Sequence, residues 1–226
     1  FYTNPLTYLY SAGQFVASRF VDHSTHVAEI GTDAKIPAED KDLDLVILIV
    51  GETARADHWS LNGYPKLTNP LLSKEPNLVS FSNMSSCGTS TAVSVPCMFT
   101  NFGREGYSQK KFNSTENALD VLKRAGVEIL WRDNNSSSKG VADRVTYEDY
   151  QTPKTNTICE GGKDGECRDE GMLVGLQDYI NSRPNKDILI VLHTMGSHGP
   201  AYYKRYPRQF EHFTPTCQDN QLEKCS

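Results

Sequence analysis

The sequence lacks any apolar run long enough to cross a membrane as a helix. Such a helix needs about 20 apolar residues in succession, whereas the longest purely apolar run covers only Leu45–Val50 and suits a buried strand. A signal peptide is also absent, and the chain of 226 residues begins with Phe rather than Met. We therefore expect the chain to be a processed or excised piece of a longer protein.

Long basic runs are missing as well. The chain has 23 Lys and Arg against 28 Asp and Glu, its formal net charge is -5, and its basic residues are scattered. This balance argues against nucleic acid as a partner. With 38% hydrophobic residues, a chain of this length is able to form one sizeable domain with its own core.

The close cysteine spacing that is typical of zinc sites does not occur. Zinc ligand pairs usually lie about two to four residues apart, whereas the six cysteines fall into pairs that are 10, 8 and 8 positions apart. Disulfides, and hence an oxidising compartment such as a periplasm or the cell exterior, are the better explanation. Sequence does not select among the possible pairings, but local pairing is the most economical because short loops close most easily. The cysteines are Cys87, Cys97, Cys159, Cys167, Cys217 and Cys225.

The first residues, "FYTNPLTYLYSAGQFVASRF", are rich in aromatic side chains. They form either a helix packed on the domain or a segment at a membrane interface, where amphipathic rings are favoured. The sequence leaves both alternatives open. Residues 22–42 are polar, and their composition is that of a linker.

Strands alternate with helices along the rest of the chain. "LDLVILIV" has the continuous apolar pattern of a fully buried strand, and "DILIVL" is predicted to be a second buried strand. "VEILWR" is predicted to be a strand between them. "STENALDVLKRAG" is the clearest helix, with Ser114 or Thr115 as its cap and Gly126 at its end. We also expect a helix at "GMLVGLQDYINS", a short helix at "LTNPLL" and a strand at "LVSFSN".

This alternation predicts an α/β fold with a largely parallel sheet covered on both faces. Functional residues of such folds lie just past the carboxyl ends of the strands. The rule indicates Glu52, residues 133–139 and residues 193–198, which are distant in sequence but would share one edge of the sheet.

The hydroxyl-rich segment "SSCGTSTAVSVPC" invites two interpretations. A hydroxyl at the start of a short helix caps free backbone N–H groups, and the same geometry forms an anion site. A free hydroxyl is a poor nucleophile without a base or a metal. Ala92 interrupts any G-x-S-x-G motif, so a hydrolase triad is disfavoured and activation by a metal, with Glu52 as an oxygen ligand, fits better.

Two further motifs carry candidate side chains. In "HTMGSHGP", His193 and His198 are suited to metal binding or to stabilising a leaving group, although each alone has an ordinary structural role as an alternative. In "NSSSKG", Lys139 is able to hold a phosphate as a point charge.

Four motifs in this order, "IVGETARADHWSLNGY", "SCGTSTAVSVPCMF", "DNNSSSKG" and "LHTMGSHGPAYYKRYP", resemble the periplasmic catalytic domain of lipid A phosphoethanolamine transferases. That family includes the mobile colistin-resistance enzymes. The resemblance implies an alkaline-phosphatase/sulfatase-like α/β/α sandwich, with residues 43–226 as the N-terminal part of the catalytic domain. Residues 1–42 then form a membrane-proximal linker to transmembrane helices, at the periplasmic face of the bacterial inner membrane.

The resemblance also implies an activity and residue roles. Phosphoethanolamine would move from phosphatidylethanolamine to a phosphate of lipid A, which confers resistance to polymyxin-type peptides. Thr91 would be the nucleophile, and Glu52 and Thr91 would bind one or two zinc ions, which would lower the pKa of the hydroxyl. Lys139 and His198, and with less support His193, would contact the phosphoryl group or a second metal. The three local cysteine pairs match disulfides of the family.

One family motif, S-D-H-G-E, does not occur in the chain. Its aspartate and histidine complete the zinc site of the family, so the resemblance implies a fold that is incomplete at the C-terminus. We expect residues 1–226 alone to bind zinc weakly and to be inactive, with the missing segment as a possible partner. Two rival functions remain: a phosphate or sulfate ester hydrolase of the same fold, and a non-catalytic disulfide-bonded extracellular binding module.

Overall fold

A computed structural model of the protein describes residues 5–20, 26–159 and 166–225. Its centre is a parallel sheet of four strands in the order β1-β4-β2-β3. The strands are β1 (Leu45–Val50), β2 (Glu128–Asp133), β3 (Thr146–Asp149) and β4 (Ile188–His193). The helices are α1 (Pro5–Phe20), α2 (Thr91–Met98), α3 (Gly103–Gly106), α4 (Gln109–Asn113), α5 (Ala118–Ala125) and α6 (Leu176–Asn181).

Both faces of the central strands β2 and β4 are covered. On one face, Trp131 and Val191 of the sheet pack with Leu119 of α5 and Phe99 at the end of α2. On the other face, strand residues pack with Met172 and with Leu176 of α6. Trp131 is fully buried, and burial of one such side chain contributes on the order of 2 kcal/mol. The predicted α/β/α sandwich is therefore confirmed.

Helix α5 shows how local sequence sets an element. Its cap is Asn117 rather than the predicted Ser114 or Thr115, because the Asn117 side chain accepts a hydrogen bond from Leu119 N at 2.9 Å. Asp120 completes the capping box by accepting from Asn117 N at 2.8 Å. Gly126 ends the helix in the left-handed conformation, as predicted.

Strand β1 corrects one prediction. The segment was expected to be a fully buried strand, and it is a strand, but Val46 and Ile49 are 53% and 63% exposed. Strand β1 lies at the edge of the sheet, because β4 is its one partner within the described part of the chain. Its side chains are therefore less covered than those of the central strands. A continuous apolar run indicates that a strand can be buried, but whether it is buried depends on the elements that pack against it.

Two other local predictions are wrong. "LTNPLL" forms no α-helix, and the nearest regular element is a single 3-10 turn at Leu72–Lys74. "LVSFSN" forms no strand, because no neighbouring backbone among the described residues supplies its hydrogen bonds. Its Val79 and Phe81 are largely exposed.

Helix α1 bears on the two alternatives for the N-terminal segment. Tyr8, Leu9 and Tyr10 are each about 70% exposed, and Phe15 is 60% exposed. These side chains are therefore not packed in a core. None of the helices described has the length and apolar character of a transmembrane span.

Candidate functional site

The register of the sheet brings the predicted site segments to one edge. His193, the last residue of β4, pairs with Val50 at the end of β1 and with Asp133 at the end of β2. The chain after each strand therefore emerges at the same edge. This places Glu52, the loop after β2 and the loop after β4 close together, as the sequence predicted.

The central contact joins Thr91 and Glu52. Thr91 is the first residue of α2, and its Oγ1 donates a hydrogen bond to Glu52 Oε2 at 2.8 Å. The hydroxyl is therefore directed at a carboxylate and does not cap the helix. Ser90 occupies the cap position without a side-chain bond. The interpretation of Thr91 as a structural cap is not supported by this geometry.

The Glu52 carboxylate has only neutral partners in the described structure. Asn135 donates to the same Oε2 from Nδ2 at 3.3 Å, and its Nδ2 also donates to Thr194 O at 2.9 Å. Within residues 26–159 and 166–225, Glu52 forms no ion pair with Lys, Arg or His. A half-buried carboxylate without a counterion is chemically complementary to a cation.

The loop after β4 packs directly on the backbone of Glu52. Gly196 has φ +51°, and a Cβ on it would lie 2.9 Å from both the N and O atoms of Glu52. Ser197 N donates to Glu52 O at 3.0 Å, and Thr194 N donates to Val50 O at 3.0 Å. The position of this loop therefore fixes the backbone of Glu52, from which the side chain extends.

Asp169 holds that loop, and sequence reasoning missed it. One carboxylate oxygen accepts from Met195 N and from Asn134 Nδ2, both at 2.8 Å, and the other accepts from Gly196 N at 2.9 Å. Asp169 follows the Cys159–Cys167 disulfide closely, in "CRDEG". An acidic residue beside a disulfide is the one local signal, and it does not reveal which loop the carboxylate will bind.

His193 belongs to a buried network beneath the site. Its Nδ1 donates to Asp133 Oδ2 at 2.9 Å, and the indole of Trp131 donates to the same oxygen at 2.9 Å. Burial raises the pKa of the Asp133 carboxyl, but the hydrogen bonds from His193 and Trp131 outweigh it, so the pKa lies below its ordinary value. Asp133 also accepts from Asn135 N at 2.9 Å, and thereby fixes the loop after β2.

Lys139 and His198 lie on the same two loops but do not contact Thr91 or Glu52. Lys139 has φ +54°, and its Nζ donates to the carbonyl and hydroxyl oxygens of Ser136 at 2.9 and 2.6 Å. His198 is exposed, and its Nδ1 donates to Gly199 O at 2.7 Å. Their predicted contacts with a phosphoryl group stay predictions.

The Thr91–Glu52 contact provides oxygen atoms that are able to act as metal ligands. Thr91 Oγ1 and Glu52 Oε2, 2.8 Å apart, are two oxygen donors that suit a divalent ion. Among the described residues, no cluster of three or more His, Cys, Asp or Glu side chains is arranged to hold a metal. Two oxygen donors do not complete a tetrahedral zinc site, and weak zinc binding by residues 1–226 alone stays a prediction.

All six cysteines pair locally. The disulfides are Cys87–Cys97, Cys159–Cys167 and Cys217–Cys225. The predicted pairing is thus confirmed. Cys87–Cys97 joins the turn before α2 to a buried residue of that helix, and so restrains the segment that carries Thr91.

The sequence model of the sulfatase family matches residues 44–225. The chain belongs to the sulfatase family. Phosphatidylethanolamine transferase Mcr-2 of Escherichia coli is 50% identical over an alignment of 234 residues, which covers 100% of this chain and 43% of that protein. Phosphoethanolamine transferase EptA of Escherichia coli strain K12 is 48% identical over 88% of this chain and 36% of that protein. This sulfatase-family chain thus spans less than half the length of these relatives.

Solved structures agree with this sulfatase-family assignment. The soluble domain of lipooligosaccharide phosphoethanolamine transferase A from Neisseria meningitidis has a TM-score of 0.82 and 39% identity. The match covers 89% of this chain and 60% of that one. The integral membrane protein of the same name and organism has a TM-score of 0.84 and 37% identity, over 96% of this chain and 40% of that one.

Proposed function

We propose that the full-length protein containing this chain transfers phosphoethanolamine from phosphatidylethanolamine to a phosphate of lipid A. The observation that carries the proposal is the hydrogen bond from Thr91 Oγ1 to Glu52 Oε2 at 2.8 Å. The Thr91 hydroxyl lies at the start of a helix and next to a carboxylate without a counterion, which supports its role as the nucleophile. The names of the relatives, which are phosphoethanolamine transferases, support the same reaction.

The first half of the reaction is attack by Thr91. Its Oγ1 bonds to the phosphorus of phosphatidylethanolamine, and the bond from phosphorus to the diacylglycerol oxygen breaks. The Thr91 proton leaves towards Glu52 Oε2, which already accepts it in a hydrogen bond. The diacylglycerol oxygen takes up a proton from solvent, Glu52 keeps the Thr91 proton for its return to Oγ1 in the second half, and phosphoethanolamine remains on Thr91.

Other residues bind and orient the phosphoryl group. Asn135, fixed by Thr194 O and by Asp133, directs its amide towards Glu52. Lys139 and His198 supply a cation and an imidazole from the neighbouring loops. Zinc, held by Glu52 and Thr91 with further ligands from outside the described residues, would stabilise negative charge on the hydroxyl and phosphoryl oxygens.

The site in this proposal lies at the periplasmic face of the inner membrane. Three disulfides support an oxidising compartment, and the related Neisseria meningitidis protein is an integral membrane protein. Modification of lipid A phosphates reduces negative charge at the cell surface, so resistance to cationic polymyxin-type peptides is the expected phenotype.

The test is the intact mass of the full-length protein after incubation with phosphatidylethanolamine vesicles. One phosphoethanolamine on Thr91 is the expected adduct, and Thr91→Ala should carry none. Thr89→Ala removes an exposed hydroxyl two positions away and is the matched control, which should be labelled like the parent. Absence of any adduct overturns the proposal. Release of free phosphoethanolamine with no product on lipid A indicates a hydrolase instead.

A further inference from the structure

An open cleft of about 510 Å³ is lined in part by Thr53, which follows Glu52 in the chain, and by Ser197, which contacts the Glu52 backbone. We call it the Trp59 cleft; its lining includes Thr53, Arg55, Trp59, Thr68, Asn69 and Ser197. Thr53 directly follows Glu52, and Ser197 N donates to Glu52 O at 3.0 Å. The cleft therefore borders the backbone of Glu52, whose carboxylate accepts from Thr91 Oγ1. Its size suits a ligand as large as a sugar with attached groups.

The acceptor oxygens of Thr68 and Asn69 in the lining are already occupied, as is the carboxylate of Asp57 next to Arg55. Thr68 Oγ1 accepts from Ser60 N at 2.9 Å, and Asn69 Oδ1 accepts from the Ser60 hydroxyl at 3.3 Å. The carboxylate of Asp57 accepts from Arg55 Nε at 3.0 Å and from Arg55 Nη2 at 2.6 Å. These contacts hold the loop in shape, and the ion pair compensates the charges of both Arg55 and Asp57.

The donors in the lining are not occupied. Within the described residues, no hydrogen bond involves Arg55 Nη1, the Trp59 indole N–H or the Asn69 amide nitrogen. The hydroxyl of Ser197 is equally without a partner there. The lining also includes His58, whose Nδ1 contacts Asp57. The spare N–H groups of Arg55, Trp59 and Asn69 are able to bind an anion, and a guanidinium is well suited to phosphate.

Trp59 adds a second type of surface. The side chain is half-buried and presents a ring with an N–H at its edge. A sugar ring has an apolar face and polar hydroxyl groups, so it matches this combination of an indole, an amide and a hydroxyl. Phosphate donors next to an aromatic ring therefore indicate a phosphorylated sugar.

We propose that the Trp59 cleft binds the phosphorylated sugar headgroup of the acceptor lipid. The assignment rests on the proposed transferase function, which has two lipid substrates. The diacylglycerol that leaves in the first half of the reaction carries no phosphate that the cleft donors would bind. The acceptor carries both a phosphate and a sugar, and it must approach the phosphorus on Thr91.

In this proposal, the second half of the reaction takes place beside this cleft. An oxygen of the acceptor phosphate attacks the phosphorus on Thr91, and a new P–O–P bond forms. The bond from phosphorus to Thr91 Oγ1 breaks, and that oxygen regains a proton. Arg55 and Asn69 hold the acceptor phosphate while this occurs, and Trp59 holds the sugar.

The experiment compares Arg55→Ala and Trp59→Phe in the full-length protein with Arg104→Ala, which removes an exposed arginine outside the cleft. Phosphatidylethanolamine vesicles supply the donor and purified lipid A is the acceptor. Arg55→Ala should raise the KM for lipid A about tenfold, since a charge-assisted hydrogen bond to the acceptor phosphate is lost. The adduct on Thr91 should accumulate because its discharge is slowed. Trp59→Phe, which keeps an aromatic ring, should raise this KM less, and Arg104→Ala should match the parent.

Two results overturn the inference. An unchanged KM for lipid A in both cleft variants shows that the acceptor lies elsewhere. Loss of the Thr91 adduct in Arg55→Ala shows that the cleft binds the donor. Failure of the proposed function itself is distinct, since the parent protein would then form no adduct. Circular dichroism of each variant separates loss of folding from loss of binding.

Discussion

Gly196 and Glu52 are packed so closely that there is no room for a Cβ on the glycine. A Cβ there would lie 2.9 Å from Glu52 N, 2.9 Å from Glu52 O and 3.2 Å from Glu52 Cβ. The residue also has φ +51°, which side chains other than glycine adopt at a cost. The position of the candidate metal-binding carboxylate thus depends on a glycine 144 positions further along the chain.

Gly196→Ala is expected to reduce transfer activity about a hundredfold in the full-length protein. The reason is that Glu52 must shift, and a displacement of about 1 Å is enough for such a loss. Gly103→Ala is the matched control, because Gly103 has φ +64° with no atom within 4 Å of its added Cβ. It should cost about 1 kcal/mol of stability with little loss of activity. If both variants lose the same activity, backbone strain alone explains the loss, and the contact between Gly196 and Glu52 does not contribute.

Asp169→Asn should loosen the loop that lies on Glu52. The replacement keeps one carbonyl oxygen but places an NH2 group opposite either Gly196 N or Met195 N, so a partly buried donor loses its acceptor. We expect a loss of about 1–3 kcal/mol in the free energy of unfolding. A fall in kcat that exceeds the effect on the KM for phosphatidylethanolamine would indicate a positioning role.

Asp178→Asn, an exposed aspartate on α6, is the control for Asp169→Asn and should resemble the parent. A stability loss in Asp169→Asn with unchanged kcat would contradict positioning and leave Asp169 as a structural residue. Hydrogen exchange at Met195 and Gly196 offers an independent readout of the same loop.

Acid should destabilise the protein through Asp133 and Asp120. Burial raises the pKa of each carboxyl, but hydrogen bonds lower it more, from His193 and Trp131 in one case and from Arg144 in the other. A carboxyl with a lowered folded-state pKa contributes stability above the ordinary pKa of aspartate, 3.8. That contribution disappears as the pH falls through the folded value.

Urea unfolding at several pH values from 7 downwards checks this dependence. The free energy of unfolding should fall as the solution is acidified below about pH 4. Asp133→Asn should be less stable than the parent at pH 7, and the difference should narrow in acid. A difference that stays constant across this range would show that the charge of Asp133 does not contribute.

Glu52→Gln should reduce the zinc content of the full-length protein. Glutamine still accepts the Thr91 hydrogen bond through its carbonyl oxygen, but it lacks the charge that a divalent ion requires. Glu105→Gln, an exposed residue of α3, is the control and should retain the metal of the parent. Metal analysis after dialysis provides the measurement, and unchanged zinc in Glu52→Gln would remove Glu52 as a ligand.

Loss of the Cys87–Cys97 disulfide should impair the site more than loss of Cys217–Cys225. Each double replacement by alanine is expected to cost about 2–3 kcal/mol of stability. Only the first disulfide restrains the turn before Thr91, so transfer activity should fall further in that variant. Equal activities at a temperature where both variants are folded would show that α2 holds Thr91 without the bridge.

The sequence by itself determined the features that depend on neighbouring residues. Helix α5, with its glycine end, and the local cysteine pairs could be predicted because their partners lie within about ten positions. The meeting of Glu52 with the loops after β2 and β4 also followed, because the carboxyl ends of parallel strands share an edge.

Only the tertiary structure decided which side chains touch at that edge. Asp169 holds Gly196, Gly196 excludes any larger residue from Glu52, and Glu52 accepts from Thr91. Each of these contacts joins residues 27 to 144 positions apart. The same holds for the exposure of β1, since its apolar pattern does not specify its neighbours. Such contacts arise from the packing of whole elements, and no local pattern of residues encodes them.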